Sequence, residues 1–329
     1  MKKLMISLDK KILDLNSPVA KRMKNYGQED ELFVLVPVAQ KKQLSLSANV
    51  QVFGTGGNKI GQFFGLIRQG KNIIKQNFIG FITVQDPFFT GLAGWILKKT
   101  VKARLEVQLH GDFYSSDYYK TSGWKNYFQY YLGKFIIRRA DSLRVVGLRI
   151  KDSLLKMGVL DQKIFIQPIK IDARNLSSQP IKINLKEKYI GYDKIFLCLG
   201  RLESVKNLNW LIDVFAQALK SRPNYLLLIV GQGSERAKLA RQIEDFGLEK
   251  NIKMEDWTND PISYLKTVDC LLFSSLSEGY GLSVMEAVAV GCPVFMNDVG
   301  VGGYEVKAGE KVKIIPLVKE KWVEQIMSI

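Results

Sequence analysis

Short apolar runs alternate along the chain with longer stretches in which apolar positions recur at helical spacing. In the first half the runs at 3–8, 32–36, 80–84, 105–109 and 142–146 are strand-length, and 62–75 and 124–139 have helical period. After residue 190 the alternation restarts. Strands are predicted at 195–199, 225–230, 252–254, 268–273, near 294 and at 312–315, with helices at 207–220, 235–246 and from 282. A further helical pattern runs over 319–327. Strands alternating with helices predict parallel α/β sheets. The stretch 171–193, rich in Asn, Ser and Lys, breaks the rhythm and reads as a linker. The expectation is α/β: two Rossmann-like, doubly wound domains, 1–172 and 173–329, facing a central cleft where ligands meet strand carboxyl ends.

Composition leaves this picture intact and narrows the setting. With 47% hydrophobic and 24% charged residues among 329, collagen-like, disordered and disulfide-scaffold classes are excluded. Cys198, Cys270 and Cys292 lie far apart, in or beside apolar runs, without disulfide or zinc spacing. A reducing, cytoplasmic location is expected. After Met1-Lys2-Lys3 the apolar run ends at Leu8, before Asp9-Lys10-Lys11, which is too short for a signal peptide. No run approaches the ~18–20 apolar residues of a membrane span.

Charge is unevenly shared. The net charge is +16, and +15 of it lies in residues 1–172. Such asymmetry suggests that the first half meets an anionic surface or substrate. A Lys-rich proteome that simply decorates its surfaces with lysine would leave the same imprint.

The densest chemical signal is Ser277-Glu278-Gly279-Tyr280-Gly281-Leu282-Ser283-Val284-Met285-Glu286-Ala287. It follows a predicted strand and opens a helix. Gly279 and Gly281 allow a tight turn and a close ligand approach. The N–H groups of Gly281, Leu282 and Ser283 at the helix start make an anion site. Carboxylates at both ends, Glu278 and Glu286, suit an anion flanked by hydroxyl-rich groups. A nucleoside diphosphate sugar has that form: Glu286 accepts from ribose hydroxyls and Glu278 from the sugar.

This element resembles the donor signature of family 4 glycosyltransferases, also called glycosyl transferases group 1. Leu199-Gly200-Arg201-Leu202-Glu203-Ser204-Val205-Lys206-Asn207 resembles the family's Gly-Arg…Lys element. Ile229-Val230-Gly231-Gln232-Gly233 resembles its second-strand turn, and the stretch 287–294 the helix and strand after the carboxylates. The resemblance covers about 195–305 and implies the GT-B fold. It also implies retention of anomeric configuration, no metal or other cofactor, and Arg201 and Lys206 on the donor diphosphate. The N-terminal domain would then bind the acceptor and the C-terminal domain the donor. His110, the only histidine, ends the strand at 105–109. The resemblance implies a catalytic place for it beside the transferred sugar. Asp112 is open to three roles: an acceptor contact, an orienter of His110, or a helix cap. Asp86 reads foremost as a cap before Pro87.

The pattern departs from the family in places. No glycine occurs between Asp9 and Pro18, where many members carry a Gly-rich loop, and Ser17 with its basic neighbours would have to substitute. Gly54-Thr55-Gly56-Gly57 reads first as a turn. The pattern is still helical near Ile329, where members continue into a last helix, so a truncated or compact form is expected. The stretch 124–139 mixes aromatics with Lys125, Lys134, Arg138 and Arg139, which suits either a core helix or peripheral contact with anionic membrane. Implied acceptors are lipid-linked or polysaccharide glycans of the cell envelope. Two rivals remain: a GT-B-like sugar-nucleotide epimerase, poorly provided by one histidine, and a basic binder of nucleic acid or another anionic surface. No nucleic-acid-binding motif supports the latter.

Overall fold

The computed structural model describes residues 1–329. The chain divides into two compact units, Met1–Val146 with Ile150–Gln167, and Gly147–Arg149 with Pro168–Ile329. The junction lies at Gln167 and Pro168, against a sequence-based boundary at Asp172.

The first unit is built on eight strands: β1 (Lys2–Ile6), β2 (Glu31–Val36), β3 (Lys41–Ser47), β4 (Val50–Thr55), β5 (Phe81–Val84), β6 (Arg104–Leu109), β7 (Ser142–Val145) and β8 (Ile164–Ile166). Their order is β3-β4-β2-β1-β5-β6-β7-β8. All neighbours are parallel except β3, which runs antiparallel to β4. Leu4, Ile6, Ile82, Val84, Leu105, Val107 and Leu109 are fully buried, as parallel strands covered on both faces require. Chain order reverses between β1 and β5, which marks the switch point of a doubly wound sheet.

The second unit has six parallel strands: β9 (Lys194–Leu199), β10 (Tyr225–Val230), β11 (Ile252–Glu255), β12 (Cys270–Phe273), β13 (Val294–Met296) and β14 (Val312–Ile314). Their order is β11-β10-β9-β12-β13-β14, so the switch point lies between β9 and β12. One face of this sheet buries Phe196, Phe215, Leu227, Leu272 and Trp322 in a single cluster. Trp322 comes from the final helix, Lys319–Met327, and meets Trp210 edge-on at 5.6 Å between ring centroids.

The expected linker is instead ordered. Asp172 caps the short helix Ala173–Ser178, and Asn184 caps Leu185–Lys188. Lys266 Nζ donates to the carbonyls of Ser177 and Gln179, and Leu185 is fully buried. Helices of four to six residues leave no periodicity to read, which is why the stretch looked structureless.

Candidate functional site

The loops at the second unit's switch point carry the sequence signature. After β9 the chain turns through Gly200 and Arg201 into a single 3-10 turn, Ser204–Lys206. Asn207, in the left-handed region at φ 56°, ends that turn and starts the helix Leu208–Leu219. Asparagine tolerates this conformation better than most residues. After β12 the buried Ser274 donates from Oγ to the carbonyl of Lys206 at 3.0 Å, and Leu276 N–H donates to the carbonyl of Val205 at 2.8 Å. The two loops are thereby stitched together beside the switch point.

This stitching brings Lys206 and Glu278 into direct contact. Lys206 Nζ donates to Glu278 Oε1 in an ion pair whose side chains are only 18% and 16% exposed. The ammonium also lies 5.0 Å from the centroid of the Phe273 ring, a cation–π contact. Leu199, Gly200, Arg201, Lys206, Ser274 and Ser275 are among the residues lining a small cavity here. Arg201 itself is exposed.

Glycines 231 and 233, at the second-strand turn, serve a packing purpose. A Cβ on Gly231 would stand 1.8 Å from the carbonyl oxygen of Gly200, and one on Gly233 2.3 Å from that of Leu202. The turn after β10 therefore lies directly against the loop that carries Arg201.

From Glu278 the chain passes Gly279 and Tyr280 to Gly281, which takes φ 99° and forms the N-terminal boundary of the helix Leu282–Ala289 without a side-chain cap. The first N–H groups of a helix have no intrahelical partners, so those of Leu282 and Ser283 remain available to an anion. The Tyr280 ring is buried, and its carbonyl accepts from Val301 N–H at 2.7 Å. Only the backbone of Tyr280 is thus left at the turn. Glu286 sits one turn further into the helix, half-buried, and desolvation raises its carboxyl above the ordinary 4.5. No protein partner offsets that burial.

His110 directly follows β6, an interior strand of the first unit, and is exposed. The surrounding protein desolvates its ring and, with the cations Arg144 and Arg22, lowers its pKa below the ordinary 6.5. The ring is therefore mostly neutral at pH 7. Asp112 accepts from Ser115 N–H at 3.0 Å and from Ser115 Oγ, which ties it to its own loop. Asp86 accepts from Phe88 N–H at 2.7 Å and from Thr90 Oγ1, the capping-type role expected of it. Ser17 caps the helix Pro18–Tyr26 by accepting from Ala20 N–H.

Comparison with known proteins fits this geometry. Residues 182–329 match the family described as Glycosyl transferases group 1. Over those residues the chain is similar to the group 1 glycosyltransferases. It is 27% identical over 247 residues to the GtfA subunit of the Streptococcus gordonii UDP-N-acetylglucosamine–peptide N-acetylglucosaminyltransferase, covering 73% of this chain and 46% of that one. It is 29% identical over 210 residues to the Bacillus subtilis poly(glycerol-phosphate) alpha-glucosyltransferase, covering 63% and 29%. The chain thus spans less than half the length of these two relatives. Anabaena HepE, solved in complex with UDP and glucose, superposes with a TM-score of 0.75 at 18% identity, over 100% of this chain and 89% of that one. The domain matched to group 1 and the doubly wound sheet before it together have the GT-B fold that the resemblance implied.

Proposed function

We propose that this chain is a retaining, metal-independent glycosyltransferase that moves a sugar from a nucleotide-diphosphate sugar to a hydroxyl acceptor. The observation that carries the reading is the single short element holding Glu278, an uncapped helix N-terminus and a partnerless Glu286. Helix N–H groups, Lys206 and Arg201 stabilise the charge that builds on the leaving diphosphate. Glu286 accepts from the ribose and Glu278 from the sugar. The second unit thus binds the donor and the first unit the acceptor, with His110 placed to hold the acceptor hydroxyl. UDP is the favoured nucleotide, since HepE was solved with it and the S. gordonii relative is named for a UDP-sugar. The acceptor is an anionic glycan or a lipid-linked glycan at the inner face of the cell membrane. The basic first unit and the poly(glycerol-phosphate) for which the B. subtilis relative is named support this. No nucleic-acid partner is proposed.

Calorimetric titration with UDP, GDP and ADP, without added metal, tests the donor site. UDP is expected to bind saturably and more tightly than the other two. A folded protein that binds none of the three would sink the reading.

Membrane contact is the other part of the proposal. No helix is long and apolar enough to cross a membrane. The helix Trp124–Arg139 buries Gly133, Ile136 and Ile137 in its second half, while Trp124 is 86% and Phe128 66% exposed in its first. Aromatic side chains beside lysines suit a headgroup interface. The protein should sediment with phosphatidylglycerol vesicles at low salt, and a W124S/F128S variant should remain in the supernatant. Equal sedimentation of both proteins would remove this helix from the contact.

A further inference from the structure

Strands β5 and β6 are in register with Thr83 opposite Glu106. Alternate residues of a strand share a face, so Glu106 and Gln108 lie on the Thr83 side of the sheet, with His110 next in that row just past the strand end. These four side chains are linked. Thr83 Oγ1 donates to Glu106 Oε1 at 2.8 Å, and Gln108 Nε2 donates to Thr83 Oγ1 at 2.7 Å. His110 Nε2 then lies 3.2 Å from Gln108 Oε1. Thr83 and Gln108 are buried, so water does not compete for these groups.

The direction of the chain is decided at Glu106. A carboxylate only accepts, so it takes the single hydroxyl proton of Thr83. The Thr83 oxygen can then only accept from its other neighbour, which turns the amide nitrogen of Gln108 toward it. The amide oxygen of Gln108 is left facing His110. An amide oxygen has no proton to give, so the proton in this last bond belongs to Nε2.

We propose that Glu106, Thr83 and Gln108 are positioning residues that fix His110 as the Nε2–H tautomer and leave its Nδ1 lone pair as the acceptor for a substrate hydroxyl. The tautomer follows from the hydrogen bonds alone; its use rests on the glycosyltransferase reading of His110. A neutral ring of fixed tautomer orients an incoming hydroxyl without reorganising, and an untethered ring samples both tautomers.

Because His110 is the only histidine, long-range 1H–15N correlation on 15N-labelled protein reports its ring alone. At about pH 8 the ring is neutral, and a single Nε2–H species is expected. Thr83→Val, close to isosteric, and Glu106→Leu, which removes the acceptor at a partly exposed site, should each convert the spectrum to a mixture of tautomers while the backbone amide spectrum stays native. Should Thr83→Val not fold, Glu106→Leu carries the test. A wild-type ring protonated on Nδ1, a wild-type mixture, or folded variants with the wild-type pattern would each overturn the relay. The measurement needs neither donor nor acceptor. Failure to bind UDP would therefore undo the functional reading and leave this result standing, and an unchanged spectrum would do the reverse.

Discussion

Glu286→Gln should make the free protein more heat-stable and at the same time cripple UDP binding. The carboxyl of Glu286 is half-buried without a protein partner, and desolvation raises its pKa in the folded state above the ordinary 4.5. The sign follows directly from linkage. A raised pKa means that the fold favours the protonated form, so Glu286 is best tolerated below pH 4.5. That stability is lost as pH rises through the folded-state value. At neutral pH the ionised group burdens the empty protein, and an uncharged amide of the same shape removes the burden. The melting temperature of the variant should exceed that of the wild type at pH 7, and the gap should close as the pH approaches 4.5. In the proposed UDP complex the balance reverses, because ribose hydroxyls would donate to the carboxylate. Charge-assisted hydrogen bonds of this kind contribute about 1.5–3 kcal/mol, so affinity should fall roughly 10–100-fold. Calorimetry and thermal melts on the same two proteins measure both. A variant that is less stable and binds UDP normally would show that Glu286 is a structural residue.

Most of the fold could be read from the chain because parallel strands buried on both faces are continuous apolar runs. Tyr225–Val230, buried at every position, is the clearest case: the apolar run and the strand coincide. Strand β3 carries no such run for the converse reason. In Lys41–Ser47 only Leu44 and Leu46 are apolar, since this antiparallel edge strand leaves one face to solvent. The carboxylates of the site were legible because a strand, a turn and a helix start follow one another between Cys270 and Leu282. Two other features required the fold. Lys206 and Glu278 are 72 positions apart and meet only because β9 and β12 are neighbours across the switch point. Thr83 and Gln108 look like polar interruptions of apolar strands, and only the β5–β6 register makes them partners. The glycines of the Gly231–Gly233 turn also need the fold to explain them, since they are demanded by the carbonyls of Gly200 and Leu202.

Breaking the Lys206–Glu278 pair from its two sides should give opposite effects on UDP. Both side chains are mostly buried, so removing one strands the other away from water. Loss of one partner of a buried pair typically costs about 3–5 kcal/mol, and Lys206→Met should lower stability on that scale. The double variant K206M/E278Q, which leaves no buried charge, should recover most of the loss. In the proposed donor site the pair competes with the ligand: Glu278 holds the ammonium that a diphosphate would take. Lys206→Met should therefore weaken UDP roughly 10–100-fold through loss of a charge-assisted contact. Glu278→Gln, which frees Lys206, should leave UDP affinity equal or tighter. Turnover of the sugar donor should nevertheless fall, because the acceptor of the sugar hydroxyl is gone. Tighter product-like binding with slower turnover marks a group whose contact is realised on the sugar, beyond the nucleotide. Weakening of UDP by Glu278→Gln as large as that by Lys206→Met would show that Glu278 acts through the nucleotide site itself, and its assignment to the sugar would fall.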